Sequence, residues 1–147
     1  MQTTLVILKP DAVERGLLWE IVSRIEKKGL KIVWMKMMKL EESLIKEHYA
    51  HLADKPFFPD IQKYMTRTPV VLMALKWVNA VAVMRNFIWA TNPQEAAMWT
   101  IRWDFAMNVD YNLIHASDSP ENAAVELERF FGWKDLFEYE KLSDSVI

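Results

Sequence analysis

An α+β fold of the ferredoxin-like type is the architecture that the sequence predicts: a split βαβ arrangement in which helices pack on a four-stranded antiparallel sheet. Four apolar runs have the length of buried strands, and stretches with helical spacing separate them. Their order is strand, helix, strand, extra helices, strand, helix, strand, helix. No linker, internal repeat or low-complexity stretch divides the 147 residues, so we expect one domain that spans residues 1–147.

The first elements follow from the N-terminal residues. Residues 5–8 are continuously apolar, which predicts a buried strand, and Pro10 just after them favours the first turn of a helix. Apolar residues recur at helical spacing as far as Gly29, which predicts one long helix. These residues are Val13, Leu17, Ile21 and Ile25. Residues 30–40 then predict a second strand.

The rest of the chain alternates in the same way. The patterns predict helices over residues 41–52, 60–65 and 79–88 and strands over residues 69–75 and 113–115. Ser119 and Pro120 have the residue types of a helix cap and first position, and apolar spacing continues from there to Gly132. Residues 89–111 show little periodicity, and so long a stretch without an element predicts a functional loop.

Composition excludes several classes of site. The chain has no cysteine, which excludes disulfides and thiolate chemistry and makes a reducing, cytoplasmic location the default expectation. The longest apolar run, residues 70–75, is too short for a membrane span. A formal charge of −2 gives no general attraction to nucleic acid. With only three glycines, the glycine-rich phosphate loops of common nucleotide folds are absent, so charged side chains would have to hold any phosphate.

His115 is the candidate reactive residue, because it lies at the end of a predicted strand just before a helix start. That position suits phosphate chemistry, and it also suits a capping or packing role. Glu126 follows on the next predicted helix, where its carboxylate could fix one imidazole nitrogen and leave the other free as a nucleophile. Taken alone, Glu126 could equally be a surface residue.

The cations and the remaining histidines leave alternatives open. Lys9, Arg85 and Arg102 could bind phosphate if they converge, and each could instead be a solvated surface charge. His48 and His51 have a spacing that could place both on one helix face for a metal. A zinc site needs a further ligand that the sequence does not mark, so exposed helix residues are the plainer interpretation.

Several motifs together closely resemble the nucleoside diphosphate kinase family over nearly the whole chain. They are, in order, VILKPDAVERG, KPFFPD, ATNPQEAA, TIR and NLIHASDS. HASDS, usually HGSDS in that family, is the most specific of them. The resemblance implies transfer of the γ-phosphate of a nucleoside triphosphate to a histidine and then to a nucleoside diphosphate, with little base discrimination and with Mg²⁺ held mainly by the phosphates. It also implies a homo-oligomer, a hexamer in preference to a tetramer, with contacts at the Pro93 loop and at residues 139–147.

The same resemblance assigns roles to residues. His115 matches the phosphorylated nucleophile, Glu126 its orienting carboxylate, and Ser117 the hydroxyl that supports the pair. The residues that match those around the phosphates and sugar are Lys9, Tyr49, Arg85, Thr91, Arg102 and Asn112. The residues that match the base slot are Phe57, on which the base would stack, with Ile61 and Val109 beside it.

Departures from the family pattern share a theme, which is loss of glycine. Positions where relatives usually carry glycine hold Trp19, Trp77, Trp89, Trp99, Trp103, Asp110 and Ala116, and Met98 replaces a common proline. An indole where φ is positive costs strain or moves the loop, which puts the direction of Arg102 in question. Asp110 could bring negative charge near an anionic ligand. The pattern suggests an engineered or composition-restricted member, or tryptophans that fill an altered subunit contact.

Three functions therefore compete. The first is an active phosphotransferase that works through a phosphohistidine at His115. The second is a nucleotide-binding or assembly module of the same fold with impaired catalysis, which the glycine losses around Arg102 and His115 favour. The third, a ferredoxin-like regulatory domain for an unrelated small ligand, requires the motif match to be accidental. The acidic balance of charge gives no support to a nucleic-acid partner, and the short apolar runs give none to a membrane partner.

Overall fold

Four strands form the sheet that organises the molecule. In the computed structural model, which describes residues 1–132 and 135–146, they are β1 Gln2–Leu8, β2 Lys31–Met38, β3 Val70–Trp77 and β4 Ile114–Ala116. Their order across the sheet is β2-β3-β1-β4, and each neighbouring pair is antiparallel. This is the split βαβ order of the ferredoxin-like plan, so the predicted fold class is confirmed.

Helices cover both faces of this sheet. In chain order they are α1 Pro10–Glu14, α2 Leu18–Lys28, α3 Glu42–His48, α4 Phe58–Met65, α5 Ala80–Ile88, α6 Ile101–Phe105 and α7 Pro120–Phe130. Short 3-10 turns occupy Ala50–Leu52, Pro93–Glu95 and Leu142–Val146. Of the helices in residues 1–132 and 135–146, none has both the length and the apolar character that a membrane crossing requires.

Two hydrophobic cores lie on opposite sides of the sheet. Side chains of α2, α5 and α6 pack against one face, and side chains of α3, α4 and α7 pack against the other. Strand β1 supplies Val6 to the first core and Ile7 to the second, which explains its continuous apolar run. His115 pairs with Ile7 across the sheet and therefore faces the side that carries α3 and α7.

The single long helix predicted over residues 10–29 is wrong. The chain forms α1 and α2 instead, separated at Gly16, whose φ of +67° lies in the left-handed region that helices do not use. Leu17 still packs against the first core from its place just before α2. Apolar spacing therefore predicted the buried side correctly and missed the break.

Residues 89–111 contain more structure than their pattern predicts. The 3-10 turn at Pro93–Glu95 and helix α6 both fall within this stretch. Thr100 caps α6, because its side-chain oxygen accepts a hydrogen bond from the backbone N–H of Trp103. A helix of five residues is too short for a periodic apolar pattern to register, so sequence spacing could not reveal it.

Candidate active site

A cleft of about 590 Å³ opens where β1 ends and β4 begins, beside α3, α5, α6 and α7. It brings together most of the residues that the sequence singled out, although they come from distant parts of the chain. The predicted site residues that line it are Lys9, Tyr49, Arg85, Thr91, Arg102, Asn112, His115 and Glu126. Convergence of the three cations, which sequence alone left open, is therefore observed.

Glu126 holds His115 from the facing side of α7. Its Oε2 atom lies 3.3 Å from Nε2 of His115 and accepts a 2.6 Å hydrogen bond from the hydroxyl of Ser117. The Ser117 oxygen in turn accepts from the backbone N–H of Leu5 at 3.2 Å, which fixes this group to β1. Burial opposes ionisation of Glu126, but hydrogen bonds from His115 and Ser117 outweigh it and hold the pKa of the carboxyl below its usual value.

His48 is a member of the site that the sequence did not identify. Its ring packs edge-on against the His115 ring, with centroids 4.8 Å apart and an interplanar angle of 80°. Burial, followed by the electrostatic influence of the adjacent His115 ring, lowers the pKa of His48 to about 3, so this ring stays neutral. Nδ1 of His48 lies 3.2 Å from a guanidinium nitrogen of Arg129, which suits a neutral ring that accepts there. The interpretation of His48 as an exposed helix residue is wrong, while His51 is exposed.

His48, His115 and Glu126 could also serve as metal ligands, because one ligand atom from each lies within 4.8 Å of the others. Zinc sites use such imidazole and carboxylate sets. Two features oppose a cation here. Arg129 occupies one nitrogen of His48, and Lys9 and Arg102 place positive charge along the same cleft. The electrostatics therefore favour an anionic ligand.

Lys9 and Asn112 form a pair at the floor of the cleft. The Lys9 ammonium donates a 2.7 Å hydrogen bond to Oδ1 of Asn112, and the Asn112 amide donates to the backbone carbonyl of Thr91 at 3.3 Å. Burial and then the positive charge of Arg102 lower the pKa of Lys9 to about 8. Among the described residues no carboxylate is bonded directly to Lys9, and a lysine in that state next to a second cation is ready to bind an anion.

Arg102 points into the sheet edge and the cleft, which resolves the question about its direction. Its guanidinium is buried and donates to the carbonyl oxygens of Asn112 at 3.4 Å and Ile114 at 2.6 Å. The third nitrogen, Nη1, is buried with no hydrogen-bond partner among the described residues. Burial and the charge of Arg85 lower the pKa of Arg102 to about 10. An unpaired buried donor of this kind fits an oxyanion.

The glycine replacements disturb the site less than their number suggests. Within residues 1–132 and 135–146, Trp99 is the one tryptophan with positive φ, at 71°, and its side chain is 83% exposed. Ala116 lies in β4 with ordinary strand pairing to Val6, so it needs no glycine. Asp110 is exposed and is not among the described residues that line the cleft.

The strained residue beside the candidate nucleophile is one that the sequence did not mark. Leu113 has a φ of 70°, which is unusual for a residue with a Cβ. Both of its backbone groups are held: its N–H donates to Oδ2 of Asp11 at 3.1 Å, and its carbonyl accepts from the N–H of Lys9 at 2.8 Å. Buried Asp11 also accepts a hydrogen bond from the Tyr64 hydroxyl.

The three residues assigned to the base slot lie outside the lining of this cleft. Phe57 is 48% exposed just before α4, and Val109 is 49% exposed in the segment after α6. Ile61 packs on the second core from α4. The lining of the cleft thus contains the reactive and cationic residues and does not contain these apolar ones.

This combination of fold and site defines a class of protein. A histidine with one nitrogen fixed by a carboxylate suits nucleophilic catalysis, and a cleft on which Lys9, Arg85 and Arg102 converge suits a phosphorylated ligand. On a ferredoxin-like sheet these features define a phosphotransferase.

Comparison with known proteins identifies the family. The family model described as nucleoside diphosphate kinase matches residues 2–136. The chain is 51% identical over 146 residues to a nucleoside diphosphate kinase of Pyrococcus horikoshii, covering 97% of this chain and 93% of that protein. It is 50% identical over 140 residues to one of Parabacteroides distasonis, covering 95% and 92%. The chain therefore belongs to the nucleoside diphosphate kinase family and is a phosphotransferase.

Solved structures agree in the fold. A nucleoside diphosphate kinase family protein from Babesia bovis superposes with a TM-score of 0.95 at 37% identity, covering 100% of this chain and 99% of that one. A halophilic nucleoside diphosphate kinase from Halobacterium salinarum in complex with CDP gives a TM-score of 0.94 at 38% identity, covering 99% and 97%.

Proposed function

We propose that this enzyme transfers the γ-phosphate of a nucleoside triphosphate to a nucleoside diphosphate by a ping-pong mechanism through a phosphohistidine at His115. The hydrogen bond between Glu126 and Nε2 of His115 is the observation that carries the proposal. It assigns the proton to Nε2 and leaves Nδ1 with its lone pair as the nucleophile. Ser117 supports this assignment, since it donates to the same carboxylate oxygen.

The phosphoryl group is transferred in two steps. Nδ1 of His115 forms a bond to the γ-phosphorus, the bond from that phosphorus to the β–γ bridging oxygen breaks, and the nucleoside diphosphate leaves with the electron pair. In the second step a terminal oxygen of another nucleoside diphosphate attacks the same phosphorus and the histidine leaves. Glu126 stabilises the positive charge that the ring acquires when Nδ1 is bonded. The nearby cations stabilise the negative charge on the phosphoryl group during its transfer.

The nucleotide would lie along the cationic side of the cleft. We assign the phosphates and sugar to Lys9, Tyr49, Arg85, Thr91, Arg102 and Asn112, all of which line it. The base would stack on Phe57 near Ile61 and Val109, which requires a nucleotide that reaches beyond the cleft lining. A ring face accepts any base, which accounts for broad specificity. The structure of the Halobacterium salinarum relative is a complex with CDP, which supports a nucleotide as ligand here.

Mg²⁺ is the proposed cofactor, held mainly by the phosphates. The donor set fits this arrangement better than a protein-bound ion, because the carboxylate of Glu126 is engaged by His115 and Ser117 and that of Asp118 by Asn122. Mg²⁺ normally keeps several waters and binds few carboxylates where phosphates are available. When bound, it would neutralise part of the phosphate charge, while Lys9, Arg85 and Arg102 position the rest.

Assembly and location stay predictions. We propose a homo-oligomer, a hexamer in preference to a tetramer, with contacts at the Pro93 loop and the C-terminal tail, whose last residue, Ile147, lies outside the described residues. Exposed apolar side chains at Met98, Trp99 and Met107 support a contact on that side. We also propose that residues 1–147 form one domain and that the protein is located in the cytoplasm.

One labelling experiment tests the function. Incubation with γ-labelled ATP and Mg²⁺ should leave an acid-labile, base-stable phosphate on the protein, and addition of unlabelled GDP should remove it as GTP. His115→Ala should take no label, while Lys46→Gln, which changes an exposed side chain of α3 outside the cleft lining, should label normally. Label that persists in His115→Ala would refute the proposed nucleophile.

A module with impaired catalysis is the second candidate, because Trp99 has positive φ immediately before the residue that caps α6. Strain there could misplace Arg102 during turnover. Nucleotide affinity with negligible phosphate exchange in the same protein would favour this candidate.

A further inference from the structure

Arg85 differs from the other arginines in what holds it. Arg24, Arg67 and Arg129 each form a salt bridge with a carboxylate, and Arg102 donates to backbone carbonyls. Within residues 1–132 and 135–146, Arg85 makes neither kind of contact. Its guanidinium carbon lies 5.3 Å from the centroid of the Trp89 ring, which is within the range of a cation–π interaction.

The helix geometry brings this pair together. Arg85 lies on the last turn of α5 and Trp89 caps that helix, four residues later, where side chains share a face. The backbone N–H of Trp89 donates to the carbonyl of Arg85 at 3.0 Å, so the indole is held against the turn that carries the arginine. Arg85 lines the cleft, whereas Trp89 does not line it.

Trp89 is also tied to the neighbouring helix. Its carbonyl accepts a 3.1 Å hydrogen bond from the Thr100 hydroxyl, and Thr100 caps α6. Arg102 is on the first turn of α6 and lines the same cleft as Arg85. Trp89 thus contacts Arg85 directly and bonds to Thr100, the residue that caps the helix carrying Arg102.

From these contacts we infer that Trp89 is a positioning residue for the phosphates of the nucleotide: its ring holds Arg85 toward the cleft without neutralising it. A carboxylate in the same place would position the guanidinium equally well, but it would compete with phosphate for the charge. A π-face attracts the cation and leaves its N–H groups free for an anionic ligand. The inference rests on the proposed function only in taking a nucleotide phosphate as the ligand.

The test is a double-mutant cycle measured by calorimetry of ADP binding, which needs no turnover. Trp89→Leu keeps apolar bulk without the π-face and should raise the dissociation constant of ADP at least about threefold. Trp89→Phe keeps a ring and should restore most of the affinity. In an Arg85→Gln background, Trp89→Leu should change the constant by less than about 1.5-fold, because the cation it serves is gone.

Trp103→Leu is the matched control. Trp103 and Trp89 are each 48% exposed, and Trp103 lies on the adjacent helix α6. Its replacement should leave ADP affinity unchanged in both backgrounds. An equal loss from Trp89→Leu with and without Arg85, or a Phe variant as weak as the Leu variant, would overturn the inference. Failure to form phosphohistidine would refute the proposed function without affecting this cycle, so the two outcomes are distinguishable.

Discussion

His115 is restrained from two sides, by the Glu126 carboxylate at one nitrogen and by the neutral His48 ring at its edge. A carboxylate at Nε2 fixes the tautomer, and in the proposed mechanism it would stabilise the cationic ring that forms when Nδ1 carries a phosphoryl group. His48 stays uncharged because burial lowers its pKa to about 3, so it adds no repulsion to that cation.

Glu126→Gln should reduce kcat for phosphoryl transfer by about 100-fold or more. The amide retains the size of the side chain but loses the charge and can present a donor to Nε2, which favours the wrong tautomer. Stopped-flow measurement of phosphohistidine formation gives the rate directly. Glu121→Gln, on the exposed first turn of the same helix, serves as the control and should behave as wild type. Equal rates in all three proteins would show that Glu126 does not orient the histidine.

Lys9 should give kcat/KM a limb near pH 8. Burial and Arg102 lower the pKa of this lysine from 10.5 to about 8, so the free enzyme loses this charge as pH rises through that value. In the complex, phosphate favours the charged form, so the limb in kcat should lie at higher pH. Lys9→Arg should remove the limb, since a guanidinium stays protonated. A profile that is the same in both proteins would contradict this assignment.

The lowered pKa of Lys9 affects the stability of the fold in the opposite direction to its effect on nucleotide binding. Because the folded pKa is lower than the unfolded one, the unfolded chain binds more protons between about pH 8 and 10.5. The contribution of Lys9 to the free energy of unfolding therefore rises with pH across that window. Nucleotide binding and stability should thus respond to pH in opposite directions in this range.

The junction between the secondary-structure elements β1, α1 and β4 fixes the position of His115. Buried Asp11 on α1 accepts from the backbone N–H of Leu113, which has the positive φ of 70°, and from the Tyr64 hydroxyl. Burial, and then this hydrogen bond, raise the pKa of Tyr64. The arrangement fixes the chain two residues before His115, the proposed nucleophile.

Asp11→Ala should lower the free energy of unfolding by about 1–3 kcal/mol for each donor left without a partner, and it should lower kcat as well. Tyr64→Phe removes only one of the two donors and should cost less, while Asp11→Asn keeps an acceptor oxygen and should cost least. Urea denaturation of the three variants gives the ranking. An Asp11→Ala protein as stable as Tyr64→Phe would show that the hydrogen bond to Leu113 contributes nothing.

Elements that are long enough to repeat a pattern were predictable, and those that are not were missed. Strands β1 and β3 and helices α5 and α7 follow from apolar runs and from the Ser119 and Pro120 cap signals, and the Ser119 oxygen does accept from the N–H of Asn122. The five-residue helix α6 has too few turns to show a period. Gly16 lies in the break between α1 and α2, but the helical spacing of apolar residues continues across that break. The spacing continues because Leu17, next to Gly16, still packs against the first core.

At the scale of the whole molecule, the site exists because the sheet order brings distant segments together. Strand β1 lies between β3 and β4, so Lys9 at the end of one strand meets His115 on the next. Sequence motifs could nominate these residues through family resemblance. They could not reveal the packing of His48 on His115 or the strain at Leu113, since neither has a local signature.

In the free protein the cations of the cleft repel one another, and this repulsion lowers the stability of the fold. A bound anion should reduce the repulsion. Lys9 and Arg102 both have lowered pKa values, to about 8 and about 10, with burial and a neighbouring cation as the causes. Binding of inorganic pyrophosphate should therefore stabilise the fold, by about 2.7 kcal/mol at a concentration of 100 times its dissociation constant. Thermal unfolding followed by circular dichroism measures this as a rise in midpoint temperature.

Specific binding must be separated from screening, because salt alone weakens repulsion between cations. Sodium chloride at matched ionic strength should raise the midpoint less than pyrophosphate does, and the difference should shrink in Arg85→Gln, which removes one cation of the cleft. Lys46→Gln removes an exposed cation elsewhere on α3 and should leave that difference intact. If chloride and pyrophosphate were equivalent in all three proteins, the cations would be responding to ionic strength and not to a ligand in a shared cleft. A larger effect of pyrophosphate that depends on Arg85 requires the charges to act on one anion, which is the property that phosphoryl transfer at His115 needs.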